Sequence, residues 1–246
     1  MRTFVLGDIH GGFKGLLQCL QGVNFDYEND KLISLGDVCD GWSEVAEAIE
    51  ELLKVKNLIY IRGNHDEWGL KGLTKNPDFF RGMWSDASNW YAHGGKATED
   101  CYVRRPDLLE KHIQFLKDSH VYHIDEKNRL FVHAGIMPGV SMKNTPVDIC
   151  LWDRNFWYNQ YAGRNDGKDY FEVYIGHTPT INFKGIREPI NRRNTWNMDT
   201  GAAFTGKMSI MNIDTKEIFQ SEELRKLYPT ELGRNKSTYY STNPYQ

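Results

Sequence analysis

Six side chains able to bind a divalent cation each stand just beyond a short apolar run: Asp8, His10, Asp37, Asn64, His133 and His177. Two carboxylates, one amide oxygen and three imidazoles suit borderline and hard ions such as Mn²⁺, Fe²⁺, Zn²⁺ or Ni²⁺, not a soft thiolate site. The set is too large for one four-coordinate ion with an open position. It matches two ions sharing a bridging carboxylate, and two ions about 3.5–4 Å apart clamp an in-line displacement at phosphorus.

Taken singly, each residue has a bland reading. A D-x-H triplet after a strand is common, Gly63-Asn64-His65-Asp66 alone reads as a turn, and a lone His133 reads as a satisfied core histidine. Their concurrence argues otherwise. GDIHG (7–11), GDVCDG (36–41), RGNHD (62–66), FVHAG (131–135) and IGHT (175–178) occur in one chain, each closing an apolar run.

The runs that must position these groups are Thr3–Leu6, Lys31–Leu35, Leu58–Ile61, Leu130–Val132 and Val173–Ile175. Their length and their β-branched or aromatic content predict buried strands. Between the early runs, Phe13, Leu16, Leu17 and Leu20, and then Val45, Ala46, Ile49, Leu52 and Leu53, recur at helical spacing. Strand, helix, strand, helix, strand predicts an α/β architecture with parallel first strands. Such sheets bind ligands at the carboxyl ends of their strands, where all the polar clusters fall. Residues 66–118 read as a helical insertion able to cap that rim. Trp196–Met198, Lys207–Ile213 and Glu217–Phe219 read as late antiparallel strands. The domain is expected to span residues 1–228, followed by a polar, aperiodic C-terminal tail over 229–246.

Composition agrees with a globular protein. Of 246 residues, 40% are hydrophobic and 26% charged, which excludes a fibrous or wholly disordered chain. Thirty basic against 33 acidic residues leave a net charge of −3, so stable nucleic-acid or membrane binding is not expected. No apolar stretch approaches the roughly 20 residues of a membrane span. The four cysteines lack a C-x-x-C pair and read as reduced thiols of a cytoplasmic protein. Composition and patterning leave the oligomeric state open.

The five segments resemble the calcineurin-like metallophosphoesterases, in particular the phosphoprotein phosphatase branch that includes bacteriophage lambda protein phosphatase, bacterial Ser/Thr phosphatases and diadenosine tetraphosphatases. Asn89–Gly95 (NWYAHGG), Cys150–Arg154 (CLWDR) and the run from Gly176 (GHTPT) to Ile213 add to the likeness. The resemblance implies a four-layer αββα sandwich, two mixed β-sheets flanked by helices, with the helical insertion near the active-site rim. It implies that Asp8, His10 and Asp37 hold one metal, and that Asp37 bridges to a second held by Asn64, His133 and His177, with manganese the expected ion. It implies a metal-bridging hydroxide as nucleophile, His65 as the general acid oriented by Asp40, and Arg154 on the phosphate. The implied activity is phosphomonoester hydrolysis of the Ser/Thr protein phosphatase type, on a phosphorylated protein. The alternatives are a dinucleoside polyphosphate or nucleic-acid-end phosphohydrolase and, in third place, a catalytically silent scaffold.

The chain departs from the branch at G-D-x-x-D-R-G, whose arginine binds phosphate. Here Gly41 stands in that place, followed by Trp42. Trp42 is expected in the core, with base stacking as the alternative. His93 replaces an asparagine and Asp66 a glutamate. Arg62 is expected in a supporting ion pair. The basic run Lys184, Arg187, Arg192 and Arg193 is expected on a solvated loop, with substitution for the missing cation as its alternative role. Phe79, Phe80, Met83, Trp84, Trp90, Trp152 and Trp157 are expected to pack. No function is assigned to His112, His120 or His123.

Overall fold

In chain order the strands are β1 (Thr3–Leu6), β2 (Lys31–Ser34), β3 (Asn57–Tyr60), β4 (Tyr122–Ile124), β5 (Arg129–Val132), β6 (Glu172–Ile175), β7 (Ile190–Arg192), β8 (Thr195–Asn197), β9 (Lys207–Asn212) and β10 (Ile218–Glu223). They form one sheet in the order β10-β9-β1-β2-β3 and another in the order β4-β5-β6-β8-β7. The computed structural model describes residues 1–82 and 86–235. Met83, Trp84 and the expected tail beyond residue 235 lie outside the described residues.

Side chains alternate across each strand, and both faces are covered. Phe4, Leu6 and Leu32 face Leu16 and Leu20 of α1 (Phe13–Gly22) and Val45, Ile49 and Leu52 of α2 (Val45–Leu52). Val5, Ile33 and Met211 point the other way, toward Phe131 and Tyr174 of the second sheet, whose rings stack at 4.9 Å. The outer face of that sheet, Leu130, Val132, Val173 and Ile175, packs on Cys150, Phe156 and Trp157. The layers are therefore helix, sheet, sheet, helix.

In each sheet three neighbouring strands run parallel, β1-β2-β3 and β5-β6-β8. After β3 the chain enters α3 (Asn64–Leu73), then α4 (Asp86–Ala92), α5 (Gly95–Arg104) and α6 (Leu109–Lys117), the expected helical insertion. After β5 come α7 (Val147–Trp152) and α8 (Asn155–Tyr161), and α9 (Leu224–Leu227) follows β10. None of the described helices is long and apolar enough to cross a membrane.

Three expectations change. The strand at Trp196 is β8 and runs parallel to β6; its antiparallel partner is β7, which arises inside the basic run read as a loop. Strand β4 was not anticipated. Both β4 (YHI) and β7 (INR) are short edge strands of mixed polarity, so no periodicity marks them. Finally, the chain does not leave the body at residue 228. Glu231 accepts hydrogen bonds from the Ser43 amide and hydroxyl at 2.9 and 2.7 Å, and the Arg234 amide donates to the Ala203 carbonyl at 2.8 Å. This attachment runs through backbone and polar contacts, which leave no apolar pattern.

Candidate metal centre

Asp8 follows β1, Asp37 follows β2, Asn64 and His65 open α3 after β3, His133 follows β5 and His177 follows β6. These are the carboxyl ends of the parallel strands in both sheets, so the sandwich brings them to one rim. Four residues of the rim have left-handed backbone: His10 (φ 51°), Asp37 (φ 53°), Asp40 (φ 70°) and His177 (φ 66°). Each such residue costs of order 1–3 kcal/mol and persists only where its surroundings over-determine it. Asp66 supplies much of that determination. Its buried carboxylate accepts from the amides of Asp37 (2.8 Å), Val38 (2.8 Å), Cys39 (3.2 Å) and Gly63 (2.9 Å) and from the Tyr60 hydroxyl (2.7 Å). Burial, then the charge of Asp37, pushes the Asp66 carboxyl up to about 6.

The three imidazoles share one arrangement. Nδ1 of His10 donates to the Cys39 carbonyl (3.1 Å), Nδ1 of His133 to the Leu35 carbonyl (2.7 Å) and Nε2 of His177 to the Trp152 carbonyl (3.2 Å). A carbonyl only accepts, so in each neutral ring the proton sits there and the other nitrogen presents a lone pair. Those nitrogens point at acceptors. His133 Nε2 lies 3.0 Å from Asn64 Oδ1 and 3.3 Å from Asp37 Oδ2, and His177 Nδ1 lies 2.8 Å from the same Asn64 oxygen. His10 Nε2 lies 3.6 Å from Asp37 Oδ2 and 3.8 Å from Asp8 Oδ2. Ligand atoms of Asp8, Asp37 and His133 fall within 4.8 Å of one another. Acceptors crowded in a buried site require positive charge among them, from a protonated ring or from a bound cation. The donor set fits divalent ions, with Asp37 Oδ2 between the His10–Asp8 group and the His133–Asn64–His177 group.

The titration directions show how the buried charges are balanced. Burial pushes the Asp8 carboxyl well up, and the nearby Asp199 pushes it further. Burial pulls His10 and His177 well down. His133 is also pulled down by burial, but the Asp37 carboxylate outweighs this and lifts it to about 9. Burial opposes ionisation of Asp37 as well, yet His133 and His65 hold its carboxyl well below the usual range.

Two glycines permit this crowding. A Cβ on Gly63 would sit 1.9 Å from Asp37 Oδ1, and one on Gly176 would sit 2.1 Å from Asp8 Oδ1. Gly176→Ala is therefore expected to displace the Asp8 carboxylate and weaken divalent-ion affinity about 10–100-fold, as loss of a ligand's support does. Titration of chelator-treated protein with Mn²⁺ measures this; wild-type affinity would show that Asp8 is not a ligand.

His65 and Asp40 form the expected pair, with His65 Nδ1 2.6 Å from Asp40 Oδ2. The insertion fixes the carboxylate from behind: Thr98 Oγ1 (2.7 Å) and Trp90 Nε1 (2.8 Å) donate to Asp40 Oδ1. Burial pushes Asp40 up to about 7 and pulls His65 well down. The Trp68 ring lies against His65 at 5.2 Å and against Trp152 at 4.7 Å, walling off that side. Arg154 Nη1 donates to the His177 carbonyl (2.9 Å) and Thr178 Oγ1 (3.0 Å), and Arg154 lines a cavity of about 340 Å³ with His177 and Phe204.

The structure therefore gathers every predicted site residue at one rim. Sequence reasoning missed Thr98, Trp90, Asp199 and the bracing role of Asp66; the D-T-G run at Asp199 was visible but suggested no role. Trp42 is fully buried, stacked on Tyr228 at 5.1 Å with Nε1 bonded to the Ala202 carbonyl, so base stacking is excluded. Arg62 pairs with Glu67 at 3.1 Å, as expected. The three arginines of the basic run are engaged elsewhere. Arg187 pairs with Glu223, Arg193 bonds the Gly163 carbonyl and Arg192 covers the Tyr161 ring.

Comparison with known proteins adds relatives to this geometry. Residues 1–196 match the family model for calcineurin-like phosphoesterases. The chain is 27% identical to serine/threonine-protein phosphatase 1 of Salmonella typhimurium, over 86% of this chain and 91% of that protein. It is 30% identical to an asymmetrical bis(5'-nucleosyl)-tetraphosphatase of Bacillus cereus, over 89% and 93% respectively. A metallophosphoesterase crystal structure from Sphaerobacter thermophilus shares the fold, with a TM-score of 0.58 at 18% identity over 93% of this chain and 95% of that one.

Proposed function

The chain belongs to the calcineurin-like phosphoesterase family, and from that premise we propose that it is a phosphomonoesterase acting on phosphorylated serine or threonine side chains of proteins. The carrying observation is the set of three imidazoles, each with one nitrogen committed to a carbonyl and the other aimed among Asp8, Asp37 and Asn64. Asp8, His10 and Asp37 would hold one divalent ion, and Asp37, Asn64, His133 and His177 another, with Mn²⁺ our choice for both. Such a pair, when bound, supplies an activated water and Lewis-acid stabilisation of the phosphoryl oxygens.

The protein's own residues do the rest. Arg154, held at one nitrogen by the His177 carbonyl and Thr178, offers its remaining N–H groups to the equatorial oxygens, where a planar fork matches phosphate. His65 delivers a proton from Nε2 to the departing oxygen. Asp40 holds Nδ1, which fixes the ring's orientation. Trp68 and Trp152 shield this side from bulk water, strengthening each polar contact.

A nucleotide substrate is the second reading. The Bacillus relative favours it, as do Tyr158, Ile181 and Phe204, which give the cavity beside Arg154 an apolar wall fit for a base.

Mn²⁺-loaded protein assayed against a phosphoserine and phosphothreonine peptide panel, p-nitrophenyl phosphate and diadenosine tetraphosphate tests the choice. The monoesters are expected to give the higher kcat/KM. A preference of orders of magnitude for diadenosine tetraphosphate would replace the first reading by the second. Failure to turn over any phosphoester with metal bound would leave only a scaffold.

A further inference from the structure

Arg234 lies in the segment expected to be a polar, aperiodic tail, and it lines the same cavity as Arg154 and His177. Its Nε is buried without a hydrogen-bond partner, and among the described residues its guanidinium makes no hydrogen bond or ion pair. A buried guanidinium nitrogen without a partner is costly, and Arg234 is only half-buried, its fork open to the cavity. The side chain is held by shape and by field. Its carbon stem runs over two glycines: a Cβ on Gly41 would meet Arg234 Cγ at 3.5 Å, and one on Gly94 at 3.1 Å. The preceding Gly233 sits on the Trp42 indole, where a Cβ would come within 2.7 Å of the ring. Phe204 lies beneath the guanidinium at 5.2 Å from its ring centre. Asp37, Asp40, Asp199 and Asp8 all act electrostatically on it.

We propose that Arg234 is a substrate-binding residue, its guanidinium gripping the phosphoryl oxygens opposite Arg154. The departures at positions 41 and 42 then have one explanation. The Arg234 stem packs directly on the Gly41 backbone, where an added Cβ would only touch it, and closely on Gly94, and Trp42 is the platform on which Gly233 turns to deliver it. The cation lost from the second segment returns from the C-terminal segment. This inference rests on the phosphoesterase reading. The rival role for Arg234 is counter-charge for the buried carboxylates, which would act on metal loading and stability instead of on the phosphoryl group.

The test uses the full chain loaded with Mn²⁺, as wild type, Arg234→Gln and Arg234→Lys. Inorganic phosphate binding is measured by calorimetry, monoester kinetics by assay, and metal content and Tm alongside. For Arg234→Gln, phosphate affinity and kcat/KM are expected to fall on the order of 10²-fold, as on removal of one oxyanion donor, with metal content and Tm unchanged. Arg234→Lys is expected to recover part of both, since it restores charge without the fork. Wild-type phosphate affinity in Arg234→Gln would overturn the proposal, as would a fall in metal content that accounts for lost activity. If wild-type protein hydrolyses no phosphoester, the function proposed above fails, but the phosphate-binding difference between wild type and Arg234→Gln still decides the role of Arg234.

Discussion

Asp37→Asn is expected to lower kcat about 10³-fold or more, roughly 4 kcal/mol of transition-state stabilisation, and to reduce the number of divalent ions held. Asp37 faces both halves of the ligand set, at 3.3 Å from His133 and 3.6 Å from His10. Taking away its charge removes what holds two mutually repelling cations together. The substitution keeps the side chain's shape and the oxygen that receives the His65 amide at 2.9 Å, so the fold is expected to survive. Elemental analysis after dialysis against Mn²⁺, with circular dichroism as the folding control, reads the outcome. Full metal occupancy together with wild-type turnover would exclude a bridging role for Asp37.

His65→Gln is expected to behave differently, because the proposed mechanism puts His65 at the leaving group and not at the ions. On a phosphoserine peptide, whose alkoxide must be protonated as it departs, kcat should fall about 10²–10⁴-fold. On p-nitrophenyl phosphate, whose phenolate leaves unaided, the fall should be far smaller. Metal content should stay at the wild-type level. The ratio of the two losses separates acid catalysis from general damage to the site. Equal losses on both substrates would mean that His65 acts through geometry or metal binding, and no loss on either would remove it from the mechanism.

The two predictions address residues of unequal legibility. The candidate ligands were readable because each follows an apolar strand with glycine nearby, and strand ends in parallel sheets share a rim. Gly63 and Gly176 mark places where another strand's carboxylate comes within contact distance, a close approach that a sequence can suggest but not direct. The dyad was half legible. His65 and Asp40 stood in their segments, but the groups that hold Asp40, Thr98 and Trp90, come from the insertion. There they are ordinary helix residues until the helices fold back over the rim. Asp66 looked like a conservative replacement and holds the amides of Asp37, Val38 and Cys39 as well as Gly63, partners visible only once the left-handed turns of the loop exist.

The amino-acid sequence by itself determined the α/β order, the six candidate ligands, the family and the departure from its arginine-bearing segment. All of these are properties of short segments, carried by hydrophobic period, by glycine, and by which side chains end a strand. Only the tertiary structure decided which carboxylate lies between the two ligand groups, what braces the acid pair, and that the C-terminal segment returns to the site with Arg234. Those outcomes depend on contacts between segments far apart in the chain, and no local pattern of polarity distinguishes an arginine destined for water from one whose stem lies over Gly41 and Gly94.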